Sequence, residues 1–261
     1  MTARGLVRVV LPPAVFGVAF LALWEAAVKV FDLKPYFLPP PSSIWAELRE
    51  NTRLIWEAAS VSGGNALVGL VAGTVIGIAV SFVLGRFRLL NEIVTPLAIA
   101  LNAVPIFVLV AVFNNMFSIT SEVPRRLMVS LVVQFIVLVN VTRGLREVEQ
   151  TQVELMRSYA ASELAILRKV RVPNAVPYLF TALKIAAPAA VITAFVSEYF
   201  GGSQNGLGSR IVGNIAISAN ATAWAYVVGA CLLGLAFYLT TVGLERVATP
   251  GGVGSRARDG A

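Results

Sequence analysis

Few side chains in this sequence are of the types that carry out acid–base, nucleophilic or metal chemistry. The 261 residues include no histidine and one cysteine, Cys231, which lies in an apolar run. Protein zinc sites use several cysteine or histidine ligands at close spacing. We therefore expect no metal site and no catalytic residue, and we expect Cys231 to be a small buried hydrophobic residue.

Four ionisable residues within apolar runs are functional candidates, because charges are costly inside a bilayer. Glu25 and Lys29 are four residues apart on one helix face, which predicts an interfacial anchor with a plausible ion pair. Lys184 is expected to reach the inner surface with its long side chain rather than to contact substrate. Glu198 precedes a glycine-rich stretch and is expected to accept backbone N–H groups from a segment, 200–212, that folds back into the outer mouth.

Uncharged polar residues and one proline complete the candidate set. Asparagine, glutamine and threonine in spans bond between helices or contact substrate, and the sequence alone does not choose between these roles. The candidates for the translocation path or gate are Asn102, Pro105, Gln134, Asn140, Thr193 and Glu198. None of the uncharged residues supplies a cation for an anionic substrate.

The elements that position these residues must be transmembrane helices. Hydrophobic residues make up 57% of the chain, charged residues only 13%, and the mean hydropathy is +0.78. Soluble domains carry about 25% charged residues. The net charge of +7 comes from residues between long apolar runs, which favours a membrane over nucleic acid as the partner.

The sequence predicts an all-α membrane protein with six transmembrane helices. A helix needs about 20 apolar residues to span the bilayer. The six segments that qualify are 9–31, 61–85, 93–113, 125–142, 176–199 and 222–244. Residues 1–8 form an N-terminal segment, 9–248 the membrane domain, and 249–261 a tail expected to be disordered.

The distribution of positive charge predicts that both termini are cytoplasmic. With that orientation, 13 Lys and Arg residues fall on inner segments and 7 on outer ones. Cytoplasmic loops carry the excess of Lys and Arg. The long loop 143–175 is then inside, and a bacterial cell membrane is the expected location.

Two local patterns refine this plan. An amphipathic interfacial helix is expected at about 43–57, capped by Ser42 or Ser43. In the second span, Gly69, Gly73, Gly77, Ser81 and Gly85 form a ridge of small residues that predicts close helix packing.

The loop 143–175 predicts two short helices joined by a turn. Thr151 and Glu154 fit a capping box, which places a helix start near Gln152. Ser162 is expected to cap a second helix that ends before Pro173 and Pro177. The apolar residues Met156, Tyr159, Leu164 and Leu167 lie among basic ones. From the loop alone, a docking surface and a charged topology anchor are equally good explanations.

The same loop resembles the cytoplasmic motif of permeases in bacterial ABC importers. The motif runs Glu-Ala-Ala, three residues, Gly, nine residues, Ile-x-Leu-Pro. Here Glu154-Leu155-Met156, Ala160 and Val170-Arg171-Val172-Pro173 match its spacing. Alanine replaces the glycine at the turn, where glycine usually supplies positive φ.

The resemblance extends along the chain to the nitrate, sulfonate and taurine branch of these permeases. The matching segments are Leu38-Pro39-Pro40-Pro41-Ser42, Pro96 to Pro105, and Glu198 to Gly208 with its Gly-Leu-Gly end. The resemblance implies the type I importer fold, a second permease, identical or paralogous, a cytoplasmic ATPase dimer that binds ATP and magnesium, and an extracytoplasmic solute-binding protein. It also implies that the ATPase-coupling residues are Glu154, Tyr159, Ala160, Ser162, Leu164 and Pro173.

The chain itself carries no phosphate-binding loop of the Walker type. Ser62-Gly63-Gly64-Asn65 is superficially similar to the ATPase signature but opens a predicted span, so we expect no contact with ATP. Two other classes of membrane protein predict different sequence features. An ion-coupled secondary transporter predicts an inverted repeat and mid-membrane charges, and a membrane enzyme predicts clustered acidic, His or Cys residues. The resemblance implies a small solute as substrate, either a sulfonate- or nitrate-like anion or a vitamin precursor or aromatic compound.

Overall fold

The computed structural model of the chain describes residues 3–87, 89–90, 92–94, 96, 100, 106–117, 121–201 and 204–249. These residues form helices joined by short connections and contain no β-strand, which confirms the all-α fold class. The α-helices, in chain order, are α1 (Ala3–Val30), α2 (Pro41–Glu50), α3 (Thr52–Arg86), α4 (Ile106–Met116), α5 (Val123–Arg146), α6 (Gln150–Ser158), α7 (Glu163–Ile166), α8 (Val172–Tyr199), α9 (Leu207–Ala216) and α10 (Asn220–Ala248).

Five helical segments of the described residues are long and apolar enough to cross a membrane. They are Leu11–Val30, Thr52–Arg86, Val123–Arg146, Glu163–Tyr199 and Asn220–Ala248. Each overlaps one of the predicted spans. Much of the remaining predicted span, 93–113, lies outside the described residues, although α4 contains its second half. The count of six spans therefore stays a prediction.

The core of the bundle is the parallel pair α3 and α5, which pack at a distance that only small residues allow. A Cβ added at Gly73 would lie 2.6 Å from the Ser130 carbonyl oxygen, and one at Gly77 would lie 2.8 Å from that of Gln134. A Cβ at Gly69 would lie too close to the Val129 side chain of α5. The ridge of small residues is therefore a helix-packing seam, as the sequence predicted.

Helix α8 packs against both helices of this pair. Its start differs from the prediction. The second predicted helix of the loop, which Ser162 caps, does not end before Pro173 and Pro177. Instead, α7 continues through a π-helical turn, Leu167–Arg171, directly into α8. Pro173 falls in the first turn of α8, where a missing N–H does little harm. The wide π turn precedes it and absorbs the irregularity of the backbone.

The predicted interfacial helix at 43–57 is wrong in its bounds. Helix α2 ends at Glu50, and α3 begins at Thr52. The interruption is Asn51, whose side-chain amide donates to the Glu47 carbonyl oxygen at 3.1 Å while its own N–H bonds the same oxygen. Asparagine side chains that bond the backbone compete with helix continuation.

The start of α2 is capped by α1 rather than by its own serines. Its N-cap residue is Pro40, with no side-chain cap, so the prediction that Ser42 or Ser43 caps this helix is wrong. Instead, the Glu25 carboxylate accepts the Ser42 N–H at 3.1 Å and the Ser42 hydroxyl at 2.9 Å. Lys29 Nζ lies 2.9 Å from the same carboxylate, which confirms the ion pair. A carboxylate at a helix N-terminus is favoured by the helix dipole.

The prediction that Cys231 is buried is wrong. Cys231 lies in α10 and is exposed. The residues of α10 that are buried, such as Ala225, Tyr226 and Gly229, face the bundle on the other side of the helix. An apolar helix in a membrane need not bury every apolar residue in protein, because lipid surrounds its outer face.

Candidate functional site

The loop between α5 and α8 has a rigid base. The Asn174 side-chain amide donates to the carbonyl oxygens of Gly144 and Glu147, at 2.8 and 3.0 Å. The Glu147 carboxylate accepts from Arg143 at 2.7 Å and from Tyr178 at 3.2 Å. The hydrogen bond from Arg143 lowers the pKa of the Glu147 carboxyl below its ordinary value. The two helices that carry the loop are thereby fixed against each other.

The turn between α6 and α7 depends on Ala160 in a left-handed conformation. Ala160 has a φ of 55°. Its N–H bonds the Arg157 carbonyl at 2.9 Å, and the next N–H, of Ala161, bonds that of Met156 at 3.0 Å. This pair of bonds is the Schellman motif, in which glycine is the usual left-handed residue. The family glycine therefore corresponds to a real conformational need, which alanine meets here with strain.

The start of α6 differs from the predicted capping box. Helix α6 begins at Gln150 after Glu149, and no side chain caps it, so Thr151 already lies inside the helix. Glu154 instead accepts from the side chain of Gln150 at 3.1 Å. The capping box fails because the helix starts two residues earlier than the motif requires.

The start of α7 follows the prediction. Ser162 is its N-cap, and the Ser162 hydroxyl accepts the Ala165 N–H at 3.3 Å. An ion pair of 3.1 Å between Arg157 and Glu163 links α6 to α7. The two short helices are thus held together by a cap, a turn and an ion pair.

The tip of this helix pair presents apolar side chains to the outside. The exposed fractions are 77% for Tyr159, 56% for Leu155 and 55% for Leu164. Glu154, Ala160 and Pro173 are exposed as well. Of the four apolar residues named from the sequence, Tyr159 and Leu164 are exposed, Met156 is half-buried, and Leu167 packs against the core of the bundle.

At the opposite end of the bundle, Glu198 joins three helices. Its carboxylate accepts the Ser62 hydroxyl at 2.7 Å and the Gly208 N–H at 3.1 Å, and the Ser62 oxygen accepts the Leu207 N–H at 2.9 Å. Glu198 and Ser62 are each 1% exposed. A Cβ at Gly206 would lie 2.2 Å from the Glu198 carboxylate, so this approach requires glycine. Glu198 therefore holds the segment after α8 through one backbone N–H directly and through a second by way of Ser62, which agrees with its predicted role as an acceptor.

A second set of charges lies at the same end, on α3 and α5. The Glu122 carboxylate accepts from Asn65 at 2.7 Å and from Arg125, which is only 1% exposed. Arg126 donates to the Asn65 side-chain oxygen at 3.1 Å. Burial works against ionisation of Glu122, but the bonds from Arg125 and Asn65 outweigh it and lower its pKa.

Most members of these two sets were not predicted from the sequence. We call the two sets the outer cluster, after the predicted orientation of the chain: Ser62, Asn65, Glu122, Arg125, Arg126, Glu198 and Leu207 to Gly208. Ser62 and Asn65 are three residues apart on one face of α3, and Glu122 and Arg125 have the same spacing. Polar residues at this spacing near the start of a span were the sequence signal that could have indicated this cluster.

The remaining path candidates do not meet at one site. Gln134 and Asn140 are half-buried on α5, about 120° apart around the helix axis. The Asn140 side chain bonds the Ile136 carbonyl of its own helix at 2.8 Å. Thr193 is 3% exposed within α8. Asn102 and Pro105 lie outside the described residues.

Lys184 has a partner that the sequence did not reveal. Its Nζ lies 2.9 Å from both carboxylate oxygens of Glu245, on α10. The side chains are 27% and 12% exposed. The expectation that Lys184 reaches the inner surface stays a prediction, and the structure adds an interhelical ion pair that holds its ammonium group.

Comparison with known proteins shows similarity to membrane components of transport systems. Residues 69–250 match the family model described as binding-protein-dependent transport system inner membrane component. A formylaminopyrimidine transport permease protein, ThiX, of Halalkalibacterium halodurans is 30% identical over 76% of this chain and 78% of its own. A probable ABC transporter permease protein of Haemophilus influenzae is 27% identical over 79% and 83%. The taurine transport system permease protein TauC of Escherichia coli is 23% identical over 73% and 71%.

The fold is similar to that of a solved structure. It is an inward-facing conformation of the MetNI methionine ABC transporter, with a TM-score of 0.57 and 18% sequence identity. The similarity covers 76% of this chain and 95% of the matched chain. At this identity the likeness establishes the fold.

Proposed function

Because the chain belongs to the family of binding-protein-dependent transport system inner membrane components, we propose that it forms the translocation path of an ATP-driven importer. The family match confirms the resemblance to ABC importer permeases that the motifs predicted. In the proposed assembly, a second permease completes the path and a binding protein delivers the solute. A separate ATPase dimer binds ATP and magnesium, and this chain performs no catalysis.

The observation that carries the proposal is the exposed helix pair α6–α7 on its rigid base. Tyr159 and Leu164 expose apolar surface at its tip, and exposed apolar patches of this kind mark protein interaction sites. Ser162 and Ala160 fix the shape of the pair, and Glu154 adds a charge on its surface. We propose that this tip enters a groove on the ATPase and transmits its motion to α5 and α8.

The test replaces the apolar tip by charge. Tyr159→Glu and Leu164→Glu would place a carboxylate in the docked interface, where an unpaired charge costs several kcal/mol. We expect at least a tenfold loss of ATPase co-purification for each variant, which corresponds to about 1.4 kcal/mol. Tyr36→Glu is the matched control, because Tyr36 is 66% exposed at the opposite end of the bundle. Undiminished co-purification of the ATPase with both tip variants would contradict the proposal.

We place the outer gate at the outer cluster. Glu198 and Ser62 hold the start of α9 against α3, and this contact must change if the path opens there. A disulfide in a Ser62→Cys/Leu207→Cys double variant, made in a Cys231→Ser background, should stop transport-coupled ATP hydrolysis until it is reduced. Full activity of the oxidised protein would exclude a gating role.

The substrate is a small solute, and one surface feature favours an uncharged aromatic compound over an anion. A groove of about 560 Å³ lies between α3, α8 and α10, and its lining includes Trp56, Phe237, Thr74 and Thr240. No charged side chain is among its described lining residues. The relative named as a formylaminopyrimidine permease is consistent with such a solute. Thermal stabilisation of the cognate binding protein by pyrimidines would support this substrate class, whereas stabilisation only by taurine or nitrate would contradict it.

The proposed orientation places α6–α7 in the cytoplasm, together with both termini. In a Cys231→Ser background, Lys34→Cys should react with a membrane-impermeant maleimide in intact cells, because Lys34 is exposed at the opposite end. Ser162→Cys should react only after the cells are opened. The reverse labelling pattern would overturn the orientation.

A further inference from the structure

A basic pocket lies at the same end of the bundle as α6–α7, but it belongs to neither the helix pair nor the outer cluster. Its volume is about 450 Å³, and its lining includes Gly85, Arg86, Arg146, Arg171 and Glu92. The three arginines come from three elements: the end of α3, the end of α5 and the π turn before α8. Three separate segments of the chain thus direct guanidinium groups to one place.

The charge of this pocket favours an anion. Among its described lining residues, Glu92 is the only carboxylate, so the three guanidinium groups outnumber it. Other arginines nearby are engaged differently. Arg143, for example, forms a 2.7 Å ion pair with Glu147 outside the pocket. Guanidinium groups bind phosphate oxygens in pairs of parallel hydrogen bonds, which makes a phosphate group the best match for such a site.

The position of the pocket favours a phosphate that belongs to a lipid. Arg86 and Arg146 end two of the apolar segments long enough to cross a membrane, so the pocket lies at the level where headgroups begin. In the chain segment that follows Arg86, Phe87, Leu89 and Leu90 are 53%, 70% and 41% exposed. These side chains offer an apolar surface for acyl chains in the segment between Arg86 and Glu92. Basic pockets between membrane helices are known to hold anionic headgroups.

We propose that this pocket binds the phosphodiester headgroup of an anionic phospholipid. The bound lipid joins the ends of α3 and α5 to the π turn that precedes α8. Arg146 is positioned for this role by its own backbone contact, because its guanidinium donates to the Leu84 carbonyl oxygen at 3.3 Å. Nothing in this inference depends on which solute the importer carries.

The test measures lipid affinity of the full-length chain in complex with its ATPase, in detergent, by native mass spectrometry. Dioleoyl phosphatidylglycerol is the anionic probe and dioleoyl phosphatidylcholine the zwitterionic one. Each arginine near an anionic surface contributes about 1 kcal/mol, or about fivefold in affinity. We expect Arg86→Gln to weaken phosphatidylglycerol binding about fivefold and Arg146→Gln/Arg171→Gln about 25-fold. Arg143→Gln is the matched control and should bind like the wild type.

Several outcomes would overturn the proposal. Wild-type affinity of the double variant is one, and a loss in Arg143→Gln as large as in Arg86→Gln is another, because it would show a general effect of surface charge. Equal affinity for the two lipids would also overturn it. Displacement of phosphatidylglycerol by millimolar inorganic phosphate would identify a site for free phosphate instead. If the double variant does not fold, Arg86→Gln decides, since Arg86 is exposed at a helix end.

Discussion

Replacement of Ser62 by alanine tests the outer cluster at its most connected residue. The Ser62 hydroxyl donates to the Glu198 carboxylate at 2.7 Å and accepts the Leu207 N–H at 2.9 Å, all within a buried site. Loss of a hydrogen bond to a charged group costs about 1.5–3 kcal/mol, and a buried N–H without an acceptor costs about 1–3 kcal/mol. We therefore expect Ser62→Ala to lower the free energy of unfolding by about 2.5–6 kcal/mol.

Reversible unfolding by SDS in mixed micelles, followed by circular dichroism, measures this difference. Ser60→Ala is the matched control, because Ser60 is exposed on the same helix and its hydroxyl bonds only the Glu57 carbonyl of that helix. The control should change stability by no more than about 0.5 kcal/mol. If Ser62→Ala is as stable as Ser60→Ala, the hydrogen bonds of the outer cluster do not hold α9 to α3, and the reasoning fails.

Three further predictions concern packing, the loop turn and the ion pair in the spans. Gly73→Ala should destabilise the chain by about 1–3 kcal/mol through overpacking, whereas Gly64→Ala should not, because no atom lies within 4 Å of its added Cβ. SDS unfolding would distinguish them, and equal effects would contradict the seam. Ala160→Gly should preserve ATPase co-purification and slow proteolysis of the loop, since it removes the strain at a φ of 55°; faster cleavage would argue against strain. Lys184→Ala should destabilise more than the double change with Glu245→Ala, because the single change leaves a largely buried carboxylate alone. A double-mutant cycle without coupling would refute this.

The sequence predicted the elements whose signals are local or periodic. Apolar length located the spans, the four-residue period of glycine located the α3–α5 seam, and Ser162 located the start of α7. The Glu25–Lys29 ion pair was predicted from the four-residue spacing. The role of Glu198 as an acceptor of a backbone N–H was predicted from the glycines that follow Glu198. In each case the physical signal lies within a few residues of the chain.

Contacts between distant parts of the chain were not predictable in the same way. The partner of Lys184 is Glu245, 61 residues away, and that of Ser62 is Glu198, 136 residues away. No periodicity in the sequence links such pairs. Local rules also failed where tertiary contacts replaced them, as at Ser42, whose N–H is bonded by Glu25 from another helix.

Docking of the α6–α7 tip on an ATPase subunit can be measured by photo-crosslinking at the tip. A benzophenone side chain in place of Tyr159, in the assembled complex in native membranes, should form an adduct that contains the ATP-binding subunit. The same side chain in place of Tyr36, which is exposed at the opposite end, should form none with that subunit. An ATPase adduct that is absent from position 159, or equally abundant at both positions, would contradict the account.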